Sequence, residues 1–407
     1  MIRRTSILFI LIGVVLFVVS GAIAEEQTLT VAADGSGQYT SVQAAVNAAP
    51  AKSKERTIIV IKPGTYKERI TVSKDKTFIT FRGSDANTTI LTYDLNSDSP
   101  DPKSSDSKKT VGTGGSSSTT ISGHDFTAEN ITFENTSGKN KQAVALRGQA
   151  DRLIFRNCRF LGWQDTLYPY DGRQYFYRCT IEGSTNFILG AAKAYFDDCV
   201  IRNRGGGCIT SQSADVMNAD NAFVFHRCRL YGDAPTYLGK PWRPYARVVF
   251  DRCWMGNHIR PEGWDKGGGS ENERTIFFAE YKCEGPGADS SGRVSWSHQL
   301  TDEEIRPYSA ENFLKGPDKW NPAVATSPAV EAAVEEKTAE AQAARKVVNS
   351  VCPIEGTKID PTNVPDSQIR EYKGKKVGFC CTMCPTVWDK LSDEEKDAKL
   401  QAALAAP

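Results

Sequence analysis

Apolar and polar positions through the middle of the chain repeat as Phe-x-x-Cys: Phe155 to Cys158, Phe176 to Cys179, Phe196 to Cys199, Phe225 to Cys228 and Phe250 to Cys253. Successive cysteines stand 21, 20, 29 and 25 residues apart. Each motif closes a short apolar run such as Leu153-Ile154-Phe155 or Val248-Val249-Phe250, with Gly, Asn and Asp between the runs. A period in the twenties, made of short strands and turns, predicts a solenoid whose repeats bury their apolar faces against one another. Alternation within a strand sends Phe and Cys to opposite faces or around a corner. The fold class that follows is all-β, a parallel β-helix with small polarizable thiols stacked as an unbridged ladder inside.

A solenoid needs its open end covered. Thr40-Ser41-Val42-Gln43 reads as a capping box, and Val42, Ala45, Val46 and Ala49 follow at helical spacing until Pro50, which predicts a helical N-terminal cap. Asn96 to Thr119 is crowded with Ser, Asp, Gly and Lys and predicts a long exposed loop between coils. After Trp320-Asn321-Pro322 the pattern changes: Val330 to Val348 is rich in Ala, Glu, Gln and Lys without Gly or Pro, as in a solvent-exposed helical spacer. The expected division is therefore 1–24, 25–323, 324–349 and 350–400: a leader, the solenoid, a helical linker and a small α+β cysteine module.

Composition narrows the class. With 407 residues, 40% apolar and 24% charged, the chain suits a folded, soluble protein and an expected monomer. Fifty Lys and Arg against 49 Asp and Glu provide no global field for nucleic acid or a membrane surface, so a polyanionic ligand would be held by local contacts. Arg3 and Arg4, the apolar run Ile7 to Ala24 and the small residues Ala22-Ile23-Ala24 before Glu25 form a signal-peptide layout and predict export to the periplasm or outside. An uncleaved anchor is the alternative reading of that run. Eleven cysteines in an exported chain would ordinarily suggest disulfides, but the repeated context of five of them argues for the ladder.

Candidate chemistry centres on Gly162-Trp163-Gln164-Asp165-Thr166-Leu167-Tyr168 and on Gly183-Ser184-Thr185-Asn186-Phe187-Ile188-Leu189-Gly190. The first offers a carboxylate beside a glutamine; the second has an amide where a second carboxylate could sit. Paired carboxylates perform acid, base and nucleophile work in hydrolases, whereas an Asp beside a Gln can also simply cap a turn. With Gly64-Thr65-Tyr66-Lys67-Glu68, Gln142-Ala143-Val144-Ala145-Leu146-Arg147, Leu238-Gly239-Lys240-Pro241-Trp242 and Gly285-Pro286-Gly287-Ala288-Asp289, these blocks resemble the pectin methylesterases, or pectinesterases, from about Leu29 to Pro322. The resemblance implies a right-handed parallel β-helix that removes methyl esters from galacturonan without a cofactor. It implies Asp165 as acid and base, Gln142 and Gln164 as amide donors to an oxyanion, and Thr113, Tyr168 and Trp242 as substrate contacts, the aromatics stacking on sugar faces.

Two positions depart from that pattern. The nucleophilic aspartate of the family is Asn186 here, and the arginine that pairs with it is Lys240. A carboxamide oxygen is a poor nucleophile, and an arginine fork is not needed once the carboxylate becomes an amide. Losing a covalent nucleophile commonly removes on the order of 10³ to 10⁶ in rate. Three readings follow: a slower esterase using Asp165 as general base on water, a pectin-binding relative without catalysis, and an esterase for another ester.

The C-terminal stretch has Cys352-Pro353-Ile354-Glu355-Gly356 and then Val377-Gly378-Phe379-Cys380-Cys381-Thr382-Met383-Cys384. It resembles the short treble-clef modules called YHS or TRASH domains, which implies a metal bound by Cys352, Cys380 and Cys384 with Cys381 as a possible fourth ligand. Thiolates select zinc or copper(I) over magnesium or calcium. Two disulfides are the alternative. Either staple suits a unit of about 50 residues that is short of core.

Overall fold

The computed structural model describes residues 27–215, 220–268, 272–323, 347–361, 364, 368–381 and 383–405. The expected leader and residues 324–346 of the expected spacer lie outside the described residues. The chain divides into two compact units, Met1–Trp320 and Asn321–Pro407.

The first unit is a right-handed parallel β-helix. Its coils contribute to an 11-stranded, an 8-stranded and a 7-stranded sheet. One coil shows the plan: Leu153–Arg156 lies in the first sheet, Arg159–Leu161 in the second and Leu167–Asp171 in the third, and Arg173–Tyr177 begins the next coil. The Phe-x-x-Cys motif spans the corner between the first two sheets. The residue just before each cysteine turns that corner with a left-handed backbone: Asn157, Arg178, Asp198, Arg227, Arg252 and Lys282 all have φ between 45° and 53°. Only one residue per corner bears this unfavourable conformation.

Inside the corner the phenylalanines stack. Ring centroids are 4.9 Å apart for Phe155 and Phe176, 4.7 Å for Phe176 and Phe196, 4.4 Å for Phe196 and Phe225, and 4.6 Å for Phe225 and Phe250. That spacing is the inter-strand distance of a sheet, so register alone sets the stack. The cysteines are buried free thiols. Four of the five donate weakly to the carbonyl of the phenylalanine one coil back, Cys228 to Phe196 at 3.4 Å for example, and Cys158 donates to the Ala128 carbonyl at 3.5 Å. Cys283 adds a sixth rung, bonded to the Phe250 carbonyl at 3.4 Å. At that rung Glu280 replaces phenylalanine, paired in register with Phe250. Glu280 is buried and held by Arg293 at 2.8 and 3.0 Å and by the Trp264 indole at 3.2 Å, so a bidentate ion pair ends the aromatic column.

Two expectations shift. The cap helix runs Val42–Ala48 with Ser41, not Thr40, at its N-cap. Glu68, from the Gly64–Glu68 block, reaches over to accept from the Val42 N–H at 2.7 Å, the Gln43 N–H at 3.0 Å and the Ser41 hydroxyl at 2.8 Å. A carboxylate from another coil thus satisfies the helix N-terminus in place of Gln43. The loop after Asn96 is exposed only in its first part. Gly112–Gly115 is a helical turn, Thr119–Ile121 is a strand, and Ser116, Ser117, Ser118 and Thr119 are buried. Small hydroxyls make this possible: Ser116 Oγ donates to the Thr113 carbonyl at 2.6 Å and accepts from the Val144 N–H at 3.1 Å.

The second unit has an antiparallel pair, Ile369–Tyr372 with Lys375–Gly378, and helices Cys384–Trp388 and Asp393–Ala405. Its core joins Cys352, Val377, Phe379, Cys384, Trp388 and Leu400. Packing starts before residue 350. The Val347 N–H donates to Pro361, and the buried Asn349 side chain bridges the Val351 and Gly378 carbonyls, both at 2.8 Å; residues 347–349 are not helical.

Removing one ring from the stack tests its weight. Phe196→Ala is expected to lower stability by about 3–5 kcal/mol, read as a fall in the urea midpoint, while Tyr170→Ala at an exposed position changes it by less than about 1 kcal/mol.

Candidate functional site

The 7-stranded sheet carries the polar motifs on successive coils. The Asp165 N–H donates to the Thr185 carbonyl at 3.3 Å, the Leu167 N–H to Phe187 at 2.8 Å, and Leu167 pairs in register with Ile188. Asp165 and Asn186 therefore occupy the same place on adjacent coils. Both adopt left-handed backbone, with φ of 66° and 53°, a conformation that Asp and Asn tolerate best among residues with a side chain. The turns before them close tightly: a Cβ at Gly183 would fall 2.2 Å from the Phe187 Cβ. On the next strands Leu189 pairs with Ser211, and Ser211 with Lys240. Gln142 bridges to Gln164 across the coils.

These residues open onto one pocket of about 300 Å³ lined by Thr113, Gln142, Asp165, Asn186, Lys240 and Trp242, together with Ser211 and Leu189. Gln164 and Tyr168 flank the pocket without lining it. Thr113 comes from the helical turn after the long loop, and its hydroxyl donates to Gln142 Oε1 at 3.3 Å. Asp165 is the one carboxylate among the described lining residues. It is 2% exposed, and burial pushes its carboxyl up to about 7 against the opposing pull of a Gln142 amide hydrogen bond and the Lys240 ammonium. Asp165 Oδ2 and Asn186 Oδ1 are buried acceptors without a protein partner. Unsatisfied acceptors at the floor of an open pocket are groups kept for a ligand or water.

The wall beside the pocket is aromatic and cationic. Trp242 is 41% exposed and Tyr170 is 42% exposed. Tyr168 is nearly buried, tilted against Trp242 with centroids 6.1 Å apart and edge-on to Tyr170 at 5.4 Å, so it backs the exposed rings instead of presenting its own. The Arg147 guanidinium sits over Tyr170 at 4.3 Å. Sequence reasoning omitted Tyr170 and Ser211. Tyr170 has no pairing partner on the Leu146–Gln149 strand, where the register skips from Pro169 to Asp171, so strand alternation did not mark it.

In the second unit, Cys380 follows the strand Lys375–Gly378 and Cys384 opens the next helix. The sulfurs of Cys352, Cys380 and Cys384 lie within 4.8 Å of one another. Cys381 lies 3.3 Å from Cys384 but stands outside that group of three. Burial would raise the Cys352 thiol, yet backbone N–H groups of Cys380, Glu355 and Ile354 directed at its sulfur hold it below the usual range. All four sulfurs are free thiols.

A family model described as pectinesterase matches residues 28–317. The chain is 43% identical over 297 residues to pectinesterase 31 of Arabidopsis thaliana, covering 72% of this chain and 93% of that protein. Its structure resembles that of the pectin methylesterase from carrot, with a TM-score of 0.68 and 36% identity over 74% of this chain and 96% of the other. It also resembles a pectin methylesterase solved in complex with a hexasaccharide, with a TM-score of 0.61 and 27% identity over 74% and 99% of the two chains. A match of this extent, on a β-helix whose polar motifs converge on one pocket, establishes that the chain belongs to the pectinesterase family of carboxylic ester hydrolases.

Proposed function

We propose that the β-helix unit removes methyl esters from galacturonan with Asp165 as general base on water, more slowly than a relative bearing a carboxylate at position 186. The observation that carries this reading is the buried Asp165 carboxyl on the pocket floor, raised to about 7 with Oδ2 unpartnered. A base is most effective when its pKa lies near the working pH. In the ionised state Oδ2 takes a proton from water as the water oxygen attacks the ester carbon, and the carbonyl oxygen becomes an oxyanion. Gln142 has two amide hydrogens; one serves Asp165 and the other is available to the oxyanion, with the Lys240 charge in the same pocket. Protonated Asp165 then returns its proton to the departing methoxide, which leaves as methanol. Gln164, paired with Gln142 on the neighbouring coil, supports that amide's position. Trp242 and Tyr170 offer exposed rings to sugar faces, and the hexasaccharide complex of a relative supports a polysaccharide ligand. We further propose that residues 1–24 act as an export leader, with the activity outside the cell membrane.

Asn186 itself favours a second reading, a pectin-binding protein without turnover, because it keeps the turn and lacks the nucleophile. Methanol release from highly methylated pectin separates the two, and release must vanish in Asp165→Ala. Pectin binding without Asp165-dependent release decides for the second reading.

For the second unit we propose a soft metal ion, zinc or copper(I), held by Cys352, Cys380 and Cys384. Three thiols converge there, two of them buried, with N–H groups on the Cys352 sulfur that favour a thiolate. Such an ion supplies a cross-link that a unit this small lacks in its core.

Three outcomes follow. Methanol release requires ionised Asp165, so the rate should rise as pH climbs through about 7. Stability should move the other way: between roughly pH 4 and 7 the folded state keeps a proton that the unfolded chain has lost, so stability falls with rising pH across that window, by at most about 4 kcal/mol. Asp165→Asn should therefore raise the melting temperature more at pH 8 than at pH 5.

Asn186→Asp alone should raise methanol release modestly, and Asn186→Asp with Lys240→Arg much more. A restored carboxylate needs the planar two-donor clamp that lysine lacks, and coupling between contacting charged groups is roughly 1–3 kcal/mol. An unmodified protein that already equals the double variant in rate removes the claim that Asn186 slows it.

Stripping metal from the reduced full chain with a chelator should make residues 347–405 more sensitive to protease, and restoring the ion should reverse this, with the β-helix unaffected.

A further inference from the structure

We infer that the β-helix unit has a second carbohydrate site, a pocket between the outer side of the 11-stranded sheet and residues 302–310, which takes one acidic sugar unit with its hydroxyls on the floor and its carboxylate at the rim. The choice of galacturonate as that sugar rests on the galacturonan reading of the first pocket; the arrangement of donors stands without it.

Alternation builds the floor. The phenylalanines of the Phe-x-x-Cys strands point inward, so the residues on either side of them point out. Register then stacks Asp197, His226, Asp251 and Tyr281 on successive coils, and Tyr195 shares that outer side two residues before Asp197. Residues 302–310 lie over this face and close a pocket of about 490 Å³, a volume suited to a small ligand. Buried charge is costly unless paired, and each acid here is paired. Asp197 accepts from the Tyr175 hydroxyl at 2.8 Å and from Arg227 at 3.3 Å. Asp251 meets His226 Nδ1 at 2.5 Å and Arg252 at 2.8 Å. Asp302 accepts from the Tyr281 hydroxyl at 2.9 Å and pairs with Lys282 at 2.8 Å. The donors are not used up. Among the described residues, the Tyr195 hydroxyl, the second ring nitrogen of His226 and the Arg306 guanidinium have no protein partner, and all three residues line the pocket. Tyr195 is 2% exposed, its ring held among Tyr175, His226 and Phe313; a tyrosine buried this far ordinarily has its hydroxyl paired. Burial and the charges of Asp197 and Asp251 push that hydroxyl up, so it stays protonated and keeps its hydrogen to donate. This pattern selects the ligand. Unused donors call for acceptors, yet the acids beside Tyr195 disfavour a bare anion on the floor. A sugar hydroxyl is neutral and both accepts and donates, which suits Tyr195 and His226. Arg306 is exposed at the mouth, where its planar fork suits a carboxylate. Ile305 and Ala310 supply an apolar wall for the C–H face of a sugar ring. Hydroxyls at one end and a carboxylate at the other are the chemistry of a uronate, the unit of the polymer proposed as substrate.

The test titrates the full chain with galacturonate, with galactose, which lacks the carboxylate, and with inorganic phosphate, which lacks the sugar. Amide hydrogen exchange over residues 302–314 reads occupancy of this pocket separately from that of the catalytic one. Galacturonate should slow exchange there, and galactose and phosphate should do so at concentrations at least about tenfold higher. Tyr195→Phe keeps the ring and its packing and should weaken galacturonate at this pocket at least about fivefold. Arg306→Ala, at an exposed position, should weaken it at least about tenfold. Methanol release from methylated pectin should be the same in both variants as in the unmodified protein. Galactose or phosphate as effective as galacturonate overturns the acidic-sugar assignment. Exchange at 302–314 that galacturonate leaves unchanged, or slows equally in the protein and both variants, overturns the site. The two readings fail separately: absence of Asp165-dependent methanol release with galacturonate still held here removes only the esterase, and intact release with nothing held here removes only this site.

Discussion

Everything in the β-helix depends on unbroken parallel main-chain pairing from one coil to the next, and the corners are where that pairing could fail. They do not fail because at five of the six corners the left-handed residue still donates to the coil above, as Asn157 does to Tyr177 at 3.0 Å, Arg178 to Asp197 at 3.0 Å and Arg252 to Tyr281 at 2.8 Å. The unfavourable backbone is offset by a main-chain hydrogen bond that a looser turn would leave to water. Because the register survives the corner, whatever follows it is also stacked. Phenylalanine lies on phenylalanine, thiol beneath thiol, and on the third sheet Asp165 on Asn186.

The pocket is a consequence of the same register. Sheet pairing aligns positions that are roughly one coil apart, so residues as distant in sequence as Thr113 and Lys240 share one wall. The positions of Asp165 and Asn186 impose two separate demands, a left-handed backbone and a side chain aimed into the pocket. Asn meets both as well as Asp does. What changes between them is one charge and one nucleophile, with no structural penalty to mark the change.

Much of this was legible in the sequence because a period repeated five times is hard to mistake. The Phe-x-x-Cys spacing predicted strands, a corner and free thiols, whereas the expectation of which polar residues would meet came from the resemblance to the pectinesterases. What escaped was decided by partners far away in the chain. Cys283 lost its signature because Glu280 stands where phenylalanine should, a substitution that makes sense only beside Arg293 and Trp264. Ser41 caps the first helix because Glu68, 26 residues from Val42, supplies the acceptor. Ser116 to Thr119 read as solvent-exposed from composition, yet small hydroxyls that bond to the backbone are also suited to burial.

The exchange of aspartate for asparagine at position 186 also alters Asp165. Two carboxyls stacked one coil apart would titrate as a coupled pair, each hindering the other's ionisation. With an amide at 186 that repulsion is absent. The level of Asp165 is then set by burial against the Gln142 amide and the Lys240 ammonium, which leave it near 7. Arginine at 240 would have two roles in a two-carboxylate site, holding one group ionised and fixing its direction. In a one-carboxylate site only charge balance remains, which a lysine provides without a fixed geometry. The pair Asn186 and Lys240 is thus one internally consistent electrostatic solution. It leaves a single buried carboxyl in the pocket, raised to about 7.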